Sequence, residues 1–366
     1  MEKAKISVIQ LFAMMFIFEL GTALVINYGI NAGKDAWLVT LLSMGAGILL
    51  FFIYYLLYRQ YPALPLTGYI RKILGKYLGS VIGYMYIQYF LYMAARNFRD
   101  IGDLLASSTL TETPLPAIIV PLVLAICYVI YKGIEVLART SEVFIVILFL
   151  FGIVGNFFVL VSGNMDFHNL RPLLENGWKP IFTTMFPHTI AFPFGETIAF
   201  TMLLPLLNKP NYAKRVWLSA VILSGLILSW TISINIAVLG ISATERATFP
   251  TLATVGTINL MDFVQRLDAI VVFTLLITVF FKASIYIYVA VIGIADVFRL
   301  NSHHKILLPV VTIGIYLSLA IASNFVEHLQ EGKIVGYFLH IPMQLIIPLV
   351  LLIVSFIQNK FIHKSS

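Results

Sequence analysis

The chain has 366 residues, of which 60% are apolar and only 11% carry a formal charge. Soluble domains carry roughly 25% charged residues, so this composition excludes a soluble multi-domain enzyme. The apolar residues are enough to fill roughly ten membrane spans of about 20 residues each. The single cysteine, Cys127, excludes an intrachain disulfide and a cysteine-based metal site. The net charge of +7 comes from scattered basic residues, a distribution that does not favour nucleic-acid binding.

Apolar runs bounded by proline, glycine and charged residues predict ten transmembrane helices in a single membrane domain, residues 1–366. The first run is too long for a signal-peptide core and has no small-residue cleavage site after it, so we expect it to be retained as a span. The predicted spans are 7–30, 36–58, 79–106, 116–132, 135–161, 181–207, 215–241, 264–298, 305–323 and 335–358.

The distribution of lysine and arginine predicts the orientation, because cytoplasmic connections carry an excess of these residues. One set of connections, together with both termini, carries fifteen basic residues: Lys3, Lys5, Arg59, Arg71, Lys72, Lys76, Lys132, Arg139, Lys209, Lys214, Arg215, Arg299, Lys305, Lys360 and Lys364. The other set carries five: Lys34, Arg171, Lys179, Arg246 and Lys333. This asymmetry places both termini in the cytoplasm, as an even number of spans requires.

Two connections have a distinctive composition. Segment 59–78 mixes apolar and basic side chains, which predicts an interfacial cytoplasmic helix, with a partner-docking surface as the alternative. Connection 162–180 is too polar to span a membrane, and we expect it to cap the external face.

Spans one and six both contain helix-breaking residues near their centres. Span one carries Gly21, and span six carries Pro193 and Gly195. Proline removes a backbone donor, and in a bilayer such broken backbone survives only against protein or a water-filled cavity. Because a repeat of five spans inserts its second copy upside-down, the breaks predict inverted repeats at about 7–161 and 181–358. An ordinary proline kink and a packing glycine are the alternative.

Three charged residues fall near the predicted membrane midplane, namely Glu19 in span one, Glu196 in span six and Lys282 in span eight. A charge at that depth costs several kcal/mol unless it is paired or hydrated, so each is a candidate functional residue. A Glu–Lys pair that merely holds helices together is the alternative. Our hypothesis is that Lys282 supplies a cation where related ion-coupled carriers bind sodium.

Span three carries charged residues near its predicted external end. The spacing of Arg96, Arg99, Asp100 and Asp103 predicts Arg96–Asp100 and Arg99–Asp103 pairs along one helix face. We interpret them as a self-neutralised helix end, with an outer gate as the alternative. In span six, His188 is predicted to be a hydrogen-bonded core residue.

The sequence contains no catalytic motif that we can identify. It has no glycine-rich phosphate loop, no metal-ligand cluster at ligand spacing and no nucleophile motif of the Gly-x-Ser-x-Gly kind. We therefore predict that the protein is not an enzyme, has no catalytic residues and requires neither a cofactor nor a metal.

A series of short motifs gives the chain a family resemblance. In order they are Ile6-Ser7-Val8-Ile9-Gln10-Leu11-Phe12, Leu20-Gly21-Thr22-Ala23, Asn169-Leu170-Arg171-Pro172, Pro193-Phe194-Gly195-Glu196 and Phe280-Phe281-Lys282. Together with the length and the ten-span layout, they resemble endospore germination permeases. These are the B subunits of nutrient germinant receptors and distant relatives of amino acid–polyamine–organocation transporters.

The resemblance implies an all-α, LeuT-like fold of five-plus-five inverted repeats with broken helices 1 and 6. It also implies a place in the spore inner membrane beside a larger A subunit and a lipoprotein C subunit. The B subunit of such a receptor is thought to bind a nutrient, commonly an amino acid or a sugar, and to start germination.

Matching positions imply a ligand-binding pocket formed by Gly21, Thr22, Phe192, Gly195, Glu196 and Lys282. Glu19 and Tyr92 are further candidates for the pocket or for charge coupling. Half-helix ends favour a carboxylate at one end and an ammonium at the other, which suits an amino acid better than a sugar. A proton-coupled amino acid transporter working through Glu19 or Glu196 is the alternative function. A scaffold with a vestigial site would leave the buried charges unexplained.

Overall fold

The computed structural model describes residues 5–26, 28–258 and 267–362. Over these residues the chain is almost entirely helical and contains no β-strand, apart from an isolated bridge between Ile6 and Leu207. Helices satisfy their own backbone hydrogen bonds, which a lipid environment demands. The α-helices are α1 (Val8–Leu20), α2 (Ala36–Gln60), α3 (Leu66–Leu74), α4 (Lys76–Ser108), α5 (Leu115–Tyr131), α6 (Ile134–Val161), α7 (Trp178–Thr184), α8 (Ala213–Leu239), α9 (Ile241–Arg246), α10 (Pro250–Gly256), α11 (Asp268–Val297), α12 (His304–Ala320), α13 (Phe325–Val335) and α14 (Ile347–Ile362).

Within the described ranges, five helical segments are long and apolar enough to cross a membrane: Ile30–Gln60, Ile134–Val161, Pro210–Leu239, Asp268–Val297 and Phe325–Lys360. Shorter apolar helices cover Val8–Leu24, Leu115–Tyr131 and His304–Ala320. Helix α4 has 33 residues, and its charged residues lower its hydropathy. The chain is therefore a multi-pass membrane protein, and the count of ten spans stays a prediction.

The last helical segment begins earlier in the chain than the sequence predicts. Its helix begins at Phe325 rather than near 335 and continues through a π-helical segment, Gly336–Ile346, into α14. The first part is polar enough to resemble a connection, but it is helical because Asn324 caps it and its side chains contact α4. Two basic residues counted above, Lys3 and Lys364, lie outside the described residues.

The first apolar segment changes its backbone at Gly21. Ser7 and Gln10 form a capping box that starts α1, and α1 ends at Leu20. A short 3₁₀ segment, Gly21–Leu24, follows it. Gly21 has φ +37°, a left-handed conformation that favours glycine. The α-helical backbone therefore stops at the position where the sequence predicts a break.

The sixth apolar segment is also irregular. Helix α7 passes into a π-helical turn, Met185–Thr189, and the backbone resumes after Pro193 as a 3₁₀ segment, Phe194–Met202. The α-helical backbone stops before Pro193, so no regular α-helix runs through the Pro193–Gly195 motif. These two irregular segments place backbone ends in the middle of the bundle.

Segment 59–78 and connection 162–180 are both tied to the bundle. Helix α3 buries its apolar face, while Arg71 forms a 2.7 Å ion pair with Asp296 at the end of α11. The Asn169 side-chain amide donates a hydrogen bond to the carbonyl of Ala237, at the end of α8, at 3.0 Å. Each connection therefore contacts one end of a long helix.

Candidate functional site

The structure brings together three buried charged residues, Glu19, Glu196 and Lys282, which we call the midplane cluster. All three are 0% exposed. The Lys282 ammonium forms an ion pair with the Glu196 carboxylate. Neither carboxyl oxygen of Glu19 has a hydrogen-bond partner among the described residues, although Lys282 and Glu196 both act on it electrostatically. With all three ionised, the cluster carries one excess negative charge, which a proton or an ammonium group would neutralise.

Two aromatic rings face the cation of the midplane cluster. The Lys282 Nζ atom lies 5.1 Å from the centre of the Phe18 ring and 4.7 Å from that of Phe192. Both distances fall within the range of a cation–π contact, which gains strength where water is excluded. Phe18 belongs to α1 and Phe192 precedes the 3₁₀ segment of span six. The cation is thus held by side chains from both irregular segments.

Gly21 makes room for Lys282. A Cβ atom at position 21 would lie 2.6 Å from Lys282 Cδ, a distance that real contacts do not reach. The carbonyl oxygen of Gly21 accepts a hydrogen bond of 3.0 Å from the Thr278 hydroxyl. Helix α11 therefore supplies both the cation of the cluster and a donor for backbone exposed where α1 ends.

Gly195 faces a different neighbour from Gly21. A Cβ atom at this position would lie 2.9 Å from Gln344 Cδ. The Tyr54 hydroxyl donates a 2.5 Å hydrogen bond to the Gln344 carbonyl and lies 3.4 Å from the Gly195 carbonyl. Gly195 thus allows span six to approach the last helical segment closely, next to Glu196.

A cavity of about 510 Å³, which we call the vestibule, reaches the midplane cluster at Glu196. It also touches Arg246 and Lys333, which lie in connections predicted to be external. The vestibule is lined by Thr22, Ile26, Tyr28, Gly29, Ile30, Asn31, Met93, Arg96, Asn97, Asp100, Thr184, His188, Thr189, Phe192, Glu196, Glu245, Arg246, Ala247, Thr248, Leu329, Gly332, Lys333, Gly336 and His340. The vestibule therefore extends from that end of the bundle to Glu196.

The charged residues of α4 pair differently from the sequence prediction. The Arg99–Asp103 pair is confirmed, with 2.7 Å between Nε and Oδ2. The Arg96–Asp100 pair is wrong, because Arg96 pairs with Glu331 and Asp100 lies 2.7 Å from His328 Nε2. Helix α13 supplies both of these partners, so contacts between helices replace the predicted contact within one helix. We call these residues of α4 and α13 the outer charge network.

Most of the predicted site residues fall into two groups. Thr22, Phe192 and Glu196 line the vestibule. Gly21 lies against Lys282 of the midplane cluster, and Lys282 acts electrostatically on Glu19. Gly195 lies in neither group and packs against the last helical segment. Tyr92 belongs to neither group, since its hydroxyl donates a hydrogen bond to the Glu331 carboxylate.

His188, Arg96 and His340 are three of the vestibule residues that the sequence did not place in the site. His188 is partly exposed and lines the vestibule, so its prediction as a core residue is wrong. Arg96 lines it too, whereas the sequence led us to interpret it as part of a self-neutralised helix end, with an outer gate as the alternative. The hydroxyl of Tyr89 lies 2.9 Å from Nδ1 of His340, the third residue. His340 could have been predicted as a site residue, because it is a polar residue inside an apolar run.

Comparison with known proteins agrees with this architecture. The family model described as "Spore germination protein" matches residues 5–326. Spore germination protein KB of Bacillus subtilis (strain 168) is 40% identical over 366 residues, which cover 100% of this chain and 98% of that protein. Spore germination protein A2 of the same organism is 26% identical over 293 residues, covering 78% of this chain and 77% of that protein.

A solved transporter shares the fold. The structure of MHP1, a nucleobase-cation-symport-1 family transporter in a closed conformation with bromovinylhydantoin bound, matches with a TM-score of 0.59. The match covers 89% of this chain and 74% of that one at 15% identity, so it shows the fold alone. The transporter fold, the apolar helices and the sequence relatives agree with one another. The chain belongs to the spore germination protein family of permease-like membrane proteins.

Proposed function

We propose that this chain is the B subunit of a spore nutrient germinant receptor and binds a small nutrient between its irregular first and sixth segments. The observation that carries the proposal is the vestibule, which leads to a fully buried carboxylate, Glu196, paired with Lys282. Buried charge at the end of an accessible cavity in a membrane protein is a candidate binding site. The excess carboxylate of the midplane cluster suits an ammonium group, which favours an amino acid.

Ten spans in a LeuT-like arrangement of two inverted repeats, about 7–161 and 181–358, form part of the same proposal. Interrupted helical backbone at Gly21 and after Pro193, in the first and sixth segments, supports it. So does the fold likeness to a transporter. A binding site at the interface of two repeats is the usual place for substrate in such folds.

We further propose that both termini face the cytoplasm and that the protein lies in the spore inner membrane with A and C receptor subunits. The unequal distribution of basic residues between the two sets of connections supports the orientation. The relatives are named spore germination proteins, and this link to germination supports the proposed membrane and partner subunits. Nutrient binding would act by favouring one conformation of the bundle, and partner subunits would respond to that conformation.

A proton-coupled amino acid transporter is the second candidate, and one observation favours it. The Glu19 carboxyl group is buried without a hydrogen-bond partner in the described part of the chain, next to Glu196 and Lys282. A carboxyl group in that position can take up and release a proton as the surroundings of the cluster change. In this function the vestibule would close while a cytoplasmic route opens.

The experiment that tests the receptor proposal compares germination and uptake. Spores lacking the gene are exposed to single nutrients, and vegetative cells expressing the protein are given the same nutrients in radiolabelled form. The receptor proposal predicts loss of the response to one nutrient class, without uptake. Normal germination of the mutant spores together with substrate accumulation in the expressing cells would contradict it and establish the transporter.

A further inference from the structure

We propose that Arg96 binds the carboxylate of an amino acid nutrient and that Glu331 competes with that carboxylate for the guanidinium. This inference rests on the proposed function, because it assigns a ligand class and a recognition residue to the vestibule. The vestibule is lined by a basic residue, Arg96, and by an acidic residue, Glu196. The two charges act on each other electrostatically.

The contacts of the Arg96 guanidinium within the described structure leave some of its N–H donors without a close acceptor. Its Nη1 atom contacts the Glu331 carboxylate and, at 3.3 Å, the Tyr92 hydroxyl. Among the described residues, its Nη2 atom has a single hydrogen-bond contact, with the His328 carbonyl at 3.4 Å, which is longer than a normal hydrogen bond. Five N–H donors in a planar fork suit a carboxylate, so this second edge is available for one.

Gly332 preserves the space around that edge. A Cβ atom at position 332 would lie 2.8 Å from Arg96 Nη2. Any larger residue there would push the guanidinium away from α13. Both Gly332 and Arg96 line the vestibule, so a ligand in this cavity can approach the guanidinium.

The Glu331 carboxylate would compete with a ligand carboxylate for the Arg96 guanidinium. It comes from α13 and its side chain is 28% exposed, against 13% for Arg96, so the pair is only partly withdrawn from water. A second carboxylate on the same guanidinium is repelled by the first, and a ligand therefore binds against the charge of Glu331. An amino acid with its carboxylate at Arg96 and its ammonium toward Glu196 would weaken the contact between α4 and α13.

Competition and simple structural pairing predict opposite results for two substitutions. If the pair only holds α4 to α13, then Arg96→Gln and Glu331→Gln weaken the response in the same direction. If Glu331 competes with ligand, Glu331→Gln lowers the half-maximal amino acid concentration for germination by about fivefold, and Arg96→Gln raises it by about tenfold or more. The double variant should behave like Arg96→Gln.

The test uses spores carrying the full chain with its natural partners. Each of the twenty L-amino acids is tried on wild-type and gene-deleted spores, and each amino acid that acts through this chain is compared with its α-amide, which lacks the carboxylate. Wild type should prefer the acid, and Arg96→Gln should lose that preference. Glu175→Gln is the matched control, because Glu175 pairs with Lys34 at 2.9 Å and does not line the vestibule. Immunoblotting measures protein abundance, and Arg96→Lys replaces Arg96→Gln if the latter does not accumulate.

The outcomes separate the inference from the receptor function. Opposite shifts for Glu331→Gln and Arg96→Gln, or for Arg96→Lys in its place, support the inference. Equal shifts of one sign, an unchanged response in the Arg96 variant, or a chain-dependent response to sugars alone would overturn it while leaving a receptor. If gene-deleted spores respond normally to every nutrient, the receptor function itself is contradicted, and the inference fails with it.

Discussion

The midplane cluster and the outer charge network differ in how completely their charged side chains are paired. The midplane cluster contains one cation, Lys282, and two carboxylates, and all three groups are fully buried. In the outer charge network each charged residue of α4 has its own partner, as in Arg99–Asp103 and Asp100–His328. Balanced pairs can be purely structural, whereas a buried cluster with an excess charge needs a further group to neutralise it. The comparison therefore supports our proposal that a ligand or a proton binds at the midplane.

Loss of Lys282 should have the largest effect. Lys282→Ala leaves Glu196 and Glu19 buried without a cation, and removing one partner of a buried ion pair costs about 3–5 kcal/mol. We expect no nutrient response and a strongly lowered thermal unfolding midpoint of the detergent-solubilised protein. The exposed Lys305 of α12 provides the control, Lys305→Ala, which should behave as wild type. A Lys282→Ala protein of normal stability and response would show that the cluster is not a charged site.

The two carboxylates of the midplane cluster should differ. Glu196→Gln removes the ion-pair partner of Lys282 and should lower the unfolding midpoint, since a buried ammonium is left with weaker compensation. Glu19→Gln removes a carboxyl group that has no hydrogen-bond partner in the described residues, so the midpoint should stay equal or rise. Thermal unfolding of both variants measures the difference. The reverse order would mean that Glu19 is the real partner of Lys282.

The outer charge network should affect stability more than the nutrient response. Asp103→Asn weakens the charge-assisted contact with Arg99, at a cost of about 1–3 kcal/mol. Arg99 keeps its 2.6 Å hydrogen bond to the Ala322 carbonyl, so we expect folded protein. The half-maximal nutrient concentration should not change, because Asp103 does not line the vestibule. A large shift in that concentration, with normal protein abundance, would remove the distinction between the two regions.

The smallest effect is expected where α11 contacts the end of α1. Thr278→Val removes the hydrogen bond to the Gly21 carbonyl, which is worth about 1 kcal/mol. Thr312→Val is the matched control, because the Thr312 hydroxyl bonds only the Leu308 carbonyl of its own helix in the described structure. Thr278→Val should lower the unfolding midpoint by more than Thr312→Val does. Equal midpoints would mean that this contact does not stabilise the irregular segment.

The sequence was sufficient to predict the midplane cluster, because charged residues inside apolar runs can be placed by counting along a helix. Glu19, Glu196 and Lys282 all come from such runs. The irregular backbone at Gly21 agrees with the break predicted there, since its φ of +37° favours glycine. Predicting the direction that Gly195 faces was not possible, because a helix-breaking residue does not specify which neighbouring helix it approaches.

The outer charge network shows where sequence reasoning fails. Spacing along one helix predicted Arg99–Asp103 correctly, since both residues lie on α4. The same rule paired Arg96 with Asp100, whereas the partner of Arg96, Glu331, lies 235 positions away. Contacts between distant helices depend on how the bundle packs, and no local pattern encodes them.

The central claim is that a nutrient occupies the vestibule next to the midplane cluster, and thiol protection tests it most directly. His188→Cys is introduced into a Cys127→Ser background, which leaves one thiol at a partly exposed position of the vestibule and none elsewhere in the chain. Alkylation of this thiol in nanodisc-reconstituted protein is then timed with and without each amino acid that triggers germination through the chain. We predict slower alkylation in the presence of those amino acids and no change with their α-amides. Equal alkylation rates at saturating amino acid would contradict the claim.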